Sequence, residues 1–540
     1  MSRALLALLA AAAILFFTGL GRATLFDQDE AKYTQVAREI LQTGDPITLH
    51  VNGTPWFVHP PLYIWLVAAT GWLFGFSEFT ARVWSAVFGL AGIYATYLLG
   101  RRLFTARAAL LAAAVLPAMF QFFAHARLAV FDGALTAFML LAFYAFLEAR
   151  AGRRVHAYYA AVWAGLGTMT KGPIALLLPA LIAAAFLLLG RIRAAARRLP
   201  EASTVPAGRA IPVLGPIVVY AAIAVPWYLI EWARHGWPFI QTVIGYYTVN
   251  RFVGVVEGQS GPWWYYAPVF GLGAFPWTAF LLAMVPYHLR RWREEGSLLV
   301  LLWTGITIAF YTAAGTKLPN YVLPVYPWAA LGIAAMWDGA LDGERAARIA
   351  IGWALAGTVI ALVVFAGEIV AFAGVKYPAD LAALQRHLVI VAAVLGVWLF
   401  TAVVCYALRR PVVSFALIAA TTWLLGGILV FRTLPLIDAR RPVKDVAAVV
   451  RSNLTPDGLL VGYRIDDHQT LLFYADHRVQ WVYDIPSLRA LVCERPAAIV
   501  VSRPGDLRAA ARSLEESGNL RIRPLIDTDA LAAVEVTCGP

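Results

Sequence analysis

The sequence predicts a mainly α-helical, polytopic membrane protein of about 13 transmembrane helices, followed by a small C-terminal α/β domain outside the membrane. Three observations carry this. Of 540 residues, 61% are hydrophobic and only 14% charged, with a mean hydropathy of +0.69, which excludes an ordinary soluble globular chain. Apolar runs of roughly 20 residues, the length that crosses a bilayer as a helix, recur up to Arg432. Beyond Arg432 they give way to short alternating segments.

The spans are expected at 4–22, 82–100, 108–124, 133–148, 156–170, 173–190, 211–230, 263–286, 298–314, 319–336, 349–372, 388–408 and 412–431. Residues 4–20 follow Arg3 as the apolar core of a secretion signal would. No Ala-x-Ala cleavage site comes after them, so an uncleaved first helix is expected. The short segment Pro61–Phe76 opens on Pro60-Pro61 and is expected to lie at the interface or re-enter rather than cross. Arginines cluster at 101–107, 150–154, 191–209, 290–293, 345–348 and 409–410. With the N-terminus cytoplasmic, this order puts every cluster inside. Residues 440–540 hold 13 basic and 13 acidic residues, so the whole net charge of +12 belongs to the membrane part. Topology accounts for it, and no nucleic-acid partner is implied. The expected division is a membrane domain over 1–432, with long outer loops at 23–80 and 231–262, and a periplasmic α/β domain over 433–540.

In the first outer loop Tyr33, Val36, Ala37, Ile40 and Leu41 recur at helical spacing, and Gly44-Asp45-Pro46 stops the pattern. This amphipathic helix is expected to lie flat at the membrane surface, with Asp29 on the apolar side. In the tail, residues 458–462, 479–483 and 497–502 read as buried strands, and 443–452, 469–475 and 507–517 as helices between them. The tail has no Gly-x-Gly-x-x-Gly and no Walker motif, so no nucleotide site is expected. Cys405 falls in a span; Cys493 and Cys538 fall in the tail, where a periplasmic setting permits a disulfide.

Charged residues on the outer side are the candidates for chemistry. Asp27, Asp29 and Glu30 follow the first span directly. Asp27 and Glu30 fit a variant capping box, which leaves Asp29 without a task. Asp132 stands at the outer end of a span, as an N-cap or a second reactive acid, and Arg127 before it is a headgroup anchor or a phosphate ligand. His59 precedes a double proline that forces extended backbone. Lys171, Arg251 and Lys317 are outer cations. Singly each reads as snorkelling; together they suit a phosphate or pyrophosphate. Trp227-Tyr228 and Trp263-Trp264-Tyr265-Tyr266 read as an aromatic belt or as sugar-stacking rings.

Asp29-Glu30-Ala31-Lys32-Tyr33, Gly44-Asp45 and Asn52-Gly-x-Pro-x-Phe-x-His-Pro-Pro-Leu62 together resemble the first outer loop of GT-C glycosyltransferases. Thr170-Lys-Gly-Pro173, Arg251-Phe252, Pro276-Trp277 and Lys317-Leu-x-Asn-Tyr-x-Leu-Pro324 match in the same order, so the resemblance covers residues 5–340. The branches it is similar to are the bacterial lipid A aminoarabinose transferases and the protein O-mannosyltransferases. The resemblance implies a multi-pass bacterial inner-membrane enzyme, a polyprenyl-phosphate-linked sugar as donor, and a lipid or protein acceptor on the periplasmic face. It implies Asp29 as the base that activates the acceptor, Glu30 and Tyr33 beside it, Asp132 as the second outer acid, and Arg251 and Tyr321 near the lipid phosphate. His59 departs from the aminoarabinose branch, where Val58-His59 is usually Glu-Lys, and agrees with mannosyltransferase-like members.

Transfer from a phosphate leaving group needs a base for the acceptor and cations for the departing phosphate. His59, Arg251 and Lys317 are expected to take the role a metal plays in nucleotide-sugar enzymes. With those cations in that role, no essential metal and no cofactor are expected. The competing expectation is a transporter or flippase of lipid-linked sugars, which calls for ionisable residues near the bilayer midplane and broken spans in paired halves. Glu368 is the one acid well inside an expected span. A third is a scaffold or sensor that acts through the tail.

Overall fold

The computed structural model describes residues 2–196, 212–376, 381–439, 441–455, 458–465, 468–493, 497–515 and 520–538. The chain divides into two compact units. One holds Met1–Thr18, Phe57–Tyr63 and Ser85–Ile428; the other holds Gly19–Trp56, Ile64–Trp84 and Leu429–Pro540.

Every apolar run expected to span has become helix. Among the described residues, eight helices are long and apolar enough to cross a bilayer: Glu78–Leu103, Asp132–Arg150, Ile174–Ile192, Leu214–His235, Glu295–Ala313, Arg345–Glu368, Gln385–Ala407 and Pro411–Asp438. Tyr266–Gly273 and Thr278–Arg290, bent by 108°, make a ninth if they are one broken span. Arg3–Phe17, Leu62–Phe74 and Ala106–Ala118 are apolar but shorter. At about 1.5 Å per residue they fall short of a hydrocarbon core of about 30 Å. Length and apolarity alone therefore support fewer crossings than the expected thirteen.

In the larger unit, helix ends sort by charge. Arg102 reaches Glu148 at 3.4 Å and Glu295 at 3.7 Å, and Arg150 reaches Glu295 at 3.8 Å. Arg107 pairs with Asp338, and Arg291 with Glu344. Arginine clusters assigned to one side of the membrane thus meet at one end of this unit. Such partly exposed pairs contribute little stability; their value is that they mark a face. The opposite ends of the same helices carry Asp132 and Ala313, with Lys171 closing the neighbouring helix Val155–Lys171. Fully buried Trp277, Trp303, Trp328 and Trp337 fill the space between, Trp303 stacking on Trp328 with centroids 4.9 Å apart.

The smaller unit is built on a five-stranded sheet of β3 (Leu459–Tyr463), β4 (Val479–Val482), β5 (Ala498–Ser502), β6 (Leu520–Asp527) and β7 (Ala532–Cys538), in the order β4-β3-β5-β7-β6. β3 pairs parallel with β4 and β5, and β7 pairs antiparallel with β5 and β6. Leu460 and Ile499 enter one apolar cluster, and their neighbours Val461 and Val500 the other. Alternation of side chains across two covered faces explains why β3 and β5 read as continuous apolar runs. β6 escaped the sequence reading because Leu520–Asp527 is mixed with arginine and proline and none of its residues is buried. Cys493 is disulfide-bonded and Cys405 is a free thiol, while the side chain of Cys538 lies outside the described residues.

The same unit takes in the outer-loop helix Asp29–Thr43 and a hairpin of β1 (His50–Val51) and β2 (Thr54–Pro55). Gly44 ends that helix in the left-handed region at φ 69°, as its sequence demands. Its apolar face does not lie bare for a membrane surface. Tyr33, Val36, Ala37 and Ile40 are buried, and the helix packs against helix Gln469–Ala475. Arg38 donates to the carbonyl of Phe473 at 2.6 Å and lies 4.1 Å over its ring.

Candidate active site

The larger unit contains a cavity of about 380 Å³, within the range that holds a small ligand. His59, Lys171, Tyr228, Tyr247, Arg251 and Tyr321 are its polar lining; most of the rest is apolar. Lys171, Arg251 and Tyr321 are placed where a helix ends or changes form. Lys171 is the last residue before Gly172, whose φ of 89° turns the chain. Arg251 follows the wide π-helical stretch Gln241–Asn250, a form that favours functional sites. Tyr321 sits in the short 3₁₀ turn Pro319–Val325.

Arg251 donates to the Tyr321 hydroxyl at 3.2 Å and to Glu257 at 2.8 Å. Its Nε is buried and meets no hydrogen-bond acceptor among the described residues. Tyr247 packs under the guanidinium, 5.1 Å from ring centroid to Cζ. Burial and then the charge of Glu257 push the Tyr247 phenol up to about 12, so it stays a neutral donor. Lys171 Nζ donates to Asp132, whose other oxygen accepts from Asn320 at 2.9 Å. The same Nζ lies 5.3 Å from the centroid of Tyr321. His59 packs edge-on against Phe131 at 4.3 Å. Two cations and several phenols in an apolar cavity suit a phosphate carrying an apolar chain.

Asp132 is buried and is not the expected N-cap; Phe131 holds that position. Two expected anion ligands are occupied elsewhere. Lys317 is buried and donates to the carbonyls of Thr312 at 3.0 Å and Ala314 at 2.6 Å, closing the C-terminal end of helix Glu295–Ala313. Arg127 is buried and donates to the carbonyls of Leu15 at 2.8 Å and Phe16 at 2.7 Å, which end helix Arg3–Phe17. These bonds give its Nη1 partners at the C-terminal end of that helix.

In the smaller unit the three acids separate. Asp27 is not the N-cap of helix Asp29–Thr43; Gln28 is, at φ 68°. Asp27 instead accepts from the main-chain N–H of Thr470 at 3.1 Å, from the Thr470 hydroxyl, and from Arg441 at 3.2 Å. Glu30, expected beside the base, is buried. It binds Arg82 through Nε and Nη2 and accepts from the Phe26 N–H at 2.9 Å. Asp29 is exposed and accepts from the Tyr33 hydroxyl at 3.0 Å. The Tyr33 ring packs on Trp56 at 5.8 Å. Sequence reading missed Arg82, Asn320 and Glu257. Arg82 had a usable signal, being charged at the start of an expected span.

Residues 58–207 match the family model described as dolichyl-phosphate-mannose-protein mannosyltransferase. Over 327 residues the chain is 32% identical to undecaprenyl phosphate-alpha-4-amino-4-deoxy-L-arabinose arabinosyl transferase 1 of Pseudomonas fluorescens, covering 59% of this chain and 56% of that one. The corresponding transferase of Pseudomonas aeruginosa is 29% identical over the same shares. The chain thus spans little more than half the length of the curated relatives it matches. The crystal structure of ArnT from Cupriavidus metallidurans bound to undecaprenyl phosphate is similar over 98% of this chain and 97% of that one, with a TM-score of 0.80 and 25% identity. The chain is a multi-pass membrane protein with the GT-C glycosyltransferase fold, and it resembles the aminoarabinose and protein mannosyl transferases.

Proposed function

We propose that this chain is an integral membrane glycosyltransferase that moves a sugar from a polyprenyl-phosphate donor to a lipid A-like or protein acceptor on the periplasmic face. The observation that carries the reading is the cavity. It sets Arg251, with a buried unpartnered Nε, and Lys171 within apolar walls, in a fold similar to a transferase solved with undecaprenyl phosphate. The donor phosphate is held by Arg251, Lys171 and Tyr321, and the lipid runs along the apolar lining. His59 contacts the sugar side. Asp29 takes the acceptor proton as the acceptor oxygen bonds to the anomeric carbon. The bond from that carbon to the phosphate oxygen breaks, and the charge left on the phosphate is met by the cations. Asp132 keeps Lys171 oriented. The reading places the N-terminus in the cytoplasm, and residues 433–540 as a domain in the periplasm.

The test is Asp29→Asn in the full chain, reconstituted with an undecaprenyl-phosphate-linked sugar. Transfer falls by about 10²–10⁴-fold while insertion and undecaprenyl phosphate binding persist; normal turnover by this variant sinks the proposal. Mass spectrometry of envelope lipids and glycoproteins after deletion then separates a lipid from a protein acceptor.

A further inference from the structure

The segment that leads into Asp29 is irregular backbone, yet it is bonded along its length to the far end of the chain. The Thr24 N–H donates to Asp438 at 3.0 Å, and the Leu25 N–H to the Tyr474 hydroxyl at 2.9 Å. Arg441 donates to the Leu25 carbonyl at 3.0 Å and to Asp27 at 3.2 Å, and lies 5.1 Å over the Phe26 ring. Asp27 in turn accepts both the N–H and the hydroxyl of Thr470, so it caps the helix Gln469–Ala475 from 443 residues away. The Tyr474 hydroxyl in turn donates to Glu78 at 2.9 Å. Burial, and then the charge of Glu78, hold that phenol above its ordinary range, so it remains a donor. Two further ties flank these. Arg38 bonds to Phe473 and Asp476, and Asn52 exchanges bonds with the backbone of Val479 at 2.7 and 3.0 Å.

Such bonds are dense for a loop. Gln28, the residue before Asp29, has a left-handed φ of 68°, a conformation that persists where the surroundings over-determine it. The tail supplies that determination: it bonds both main-chain groups of Leu25 and both oxygens of Asp27, fixing the two residues that precede Phe26 and Gln28. We infer that the α/β tail is a clamp on the catalytic segment, with Thr470, Arg441 and Tyr474 as positioning residues that set the direction of Asp29. This rests on Asp29 being the acceptor-activating base. Binding and turnover then separate. The donor cavity belongs to the larger unit, so loosening the clamp costs kcat and leaves donor binding alone. A base displaced by about 1 Å loses on the order of 10²-fold in rate.

The test uses the full chain in lipid nanodiscs, with Thr470→Val, Thr470→Ser and Tyr474→Phe. Hydrogen exchange is read by mass spectrometry over residues 22–33, and kcat and KM with an undecaprenyl-phosphate-linked sugar. Thr470→Val and Tyr474→Phe should speed exchange at 24–28 and lower kcat about tenfold or more, with KM for the donor and the melting temperature near wild type. Thr470→Ser, which keeps the hydroxyl, should restore both. Wild-type exchange in Thr470→Val and Tyr474→Phe overturns the clamp, as does faster exchange with kcat unchanged. If wild-type protein transfers no sugar, the glycosyltransfer reading fails, and exchange at 24–28 still decides whether the tail holds the segment.

Discussion

Glu30 and Arg82 form a two-bond ion pair, Nε to Oε1 and Nη2 to Oε2 both at 2.8 Å, with side chains only 3% and 4% exposed. Arg82 also donates to the carbonyls of Leu20, Ala23 and Thr24, so one guanidinium gathers the chain just before Asp29. Removing either partner leaves an unpaired buried charge. Arg82→Leu and Glu30→Gln are each expected to destabilise the smaller unit by about 3–5 kcal/mol in denaturant or thermal unfolding. The double variant Glu30→Leu/Arg82→Leu should recover only part of this, because three carbonyls lose their donor. A silent Arg82→Leu would contradict the burial.

Arg251 presents a planar fork, with Tyr321 and Glu257 setting its plane. Arg251→Lys keeps the charge and loses the fork. It is expected to weaken undecaprenyl phosphate binding by about 1.5–3 kcal/mol, roughly 10- to 150-fold in Kd, by titration in detergent. By contrast Lys317→Met, which removes a cap on helix Glu295–Ala313, should lower the melting temperature and leave the affinity of folded protein near wild type.

Asp132 and Lys171 act as a pair, with Asn320 on the second oxygen. Single variants Asp132→Asn and Lys171→Gln should each weaken donor binding, and the double variant should cost less than their sum. A double-mutant cycle on Kd should return a coupling of about 0.5–3 kcal/mol; strict additivity would mean the two residues work independently.

Tyr247 gives a pH signature. Its folded value of about 12 lies above the ordinary phenol value near 10. The unfolded chain therefore releases this proton first, and stability is lost as pH rises through the window from about 10 to about 12. Below that window both states keep the proton and no difference appears. Tyr247→Phe should flatten the decline in melting temperature between pH 10 and 11.5, relative to wild type.

Much of the molecule is legible locally. Helix Asp29–Thr43 and its stop at Gly44 follow from spacing and one glycine, and β3, β4 and β5 from their apolar runs. Lys171, Arg251, His59 and Tyr321 were named from sequence and line one cavity. What misled was charge without context. Asp27 reads as a cap for the helix that follows it, yet caps one that begins at Gln469, far from Asp27 in sequence. Local spacing carries no information about partners so distant.

By itself the sequence determined which segments are helical and which loops carry the arginines. These properties depend on hydropathy and charge within a few turns of chain. Only the tertiary structure decided what each charge does. Lys171 and Arg251 reach a cavity, whereas Arg127 and Lys317 end on carbonyls and Glu30 on Arg82. A buried charge takes whatever partner the packing brings to it, and that partner is chosen by the fold rather than by the neighbours in sequence.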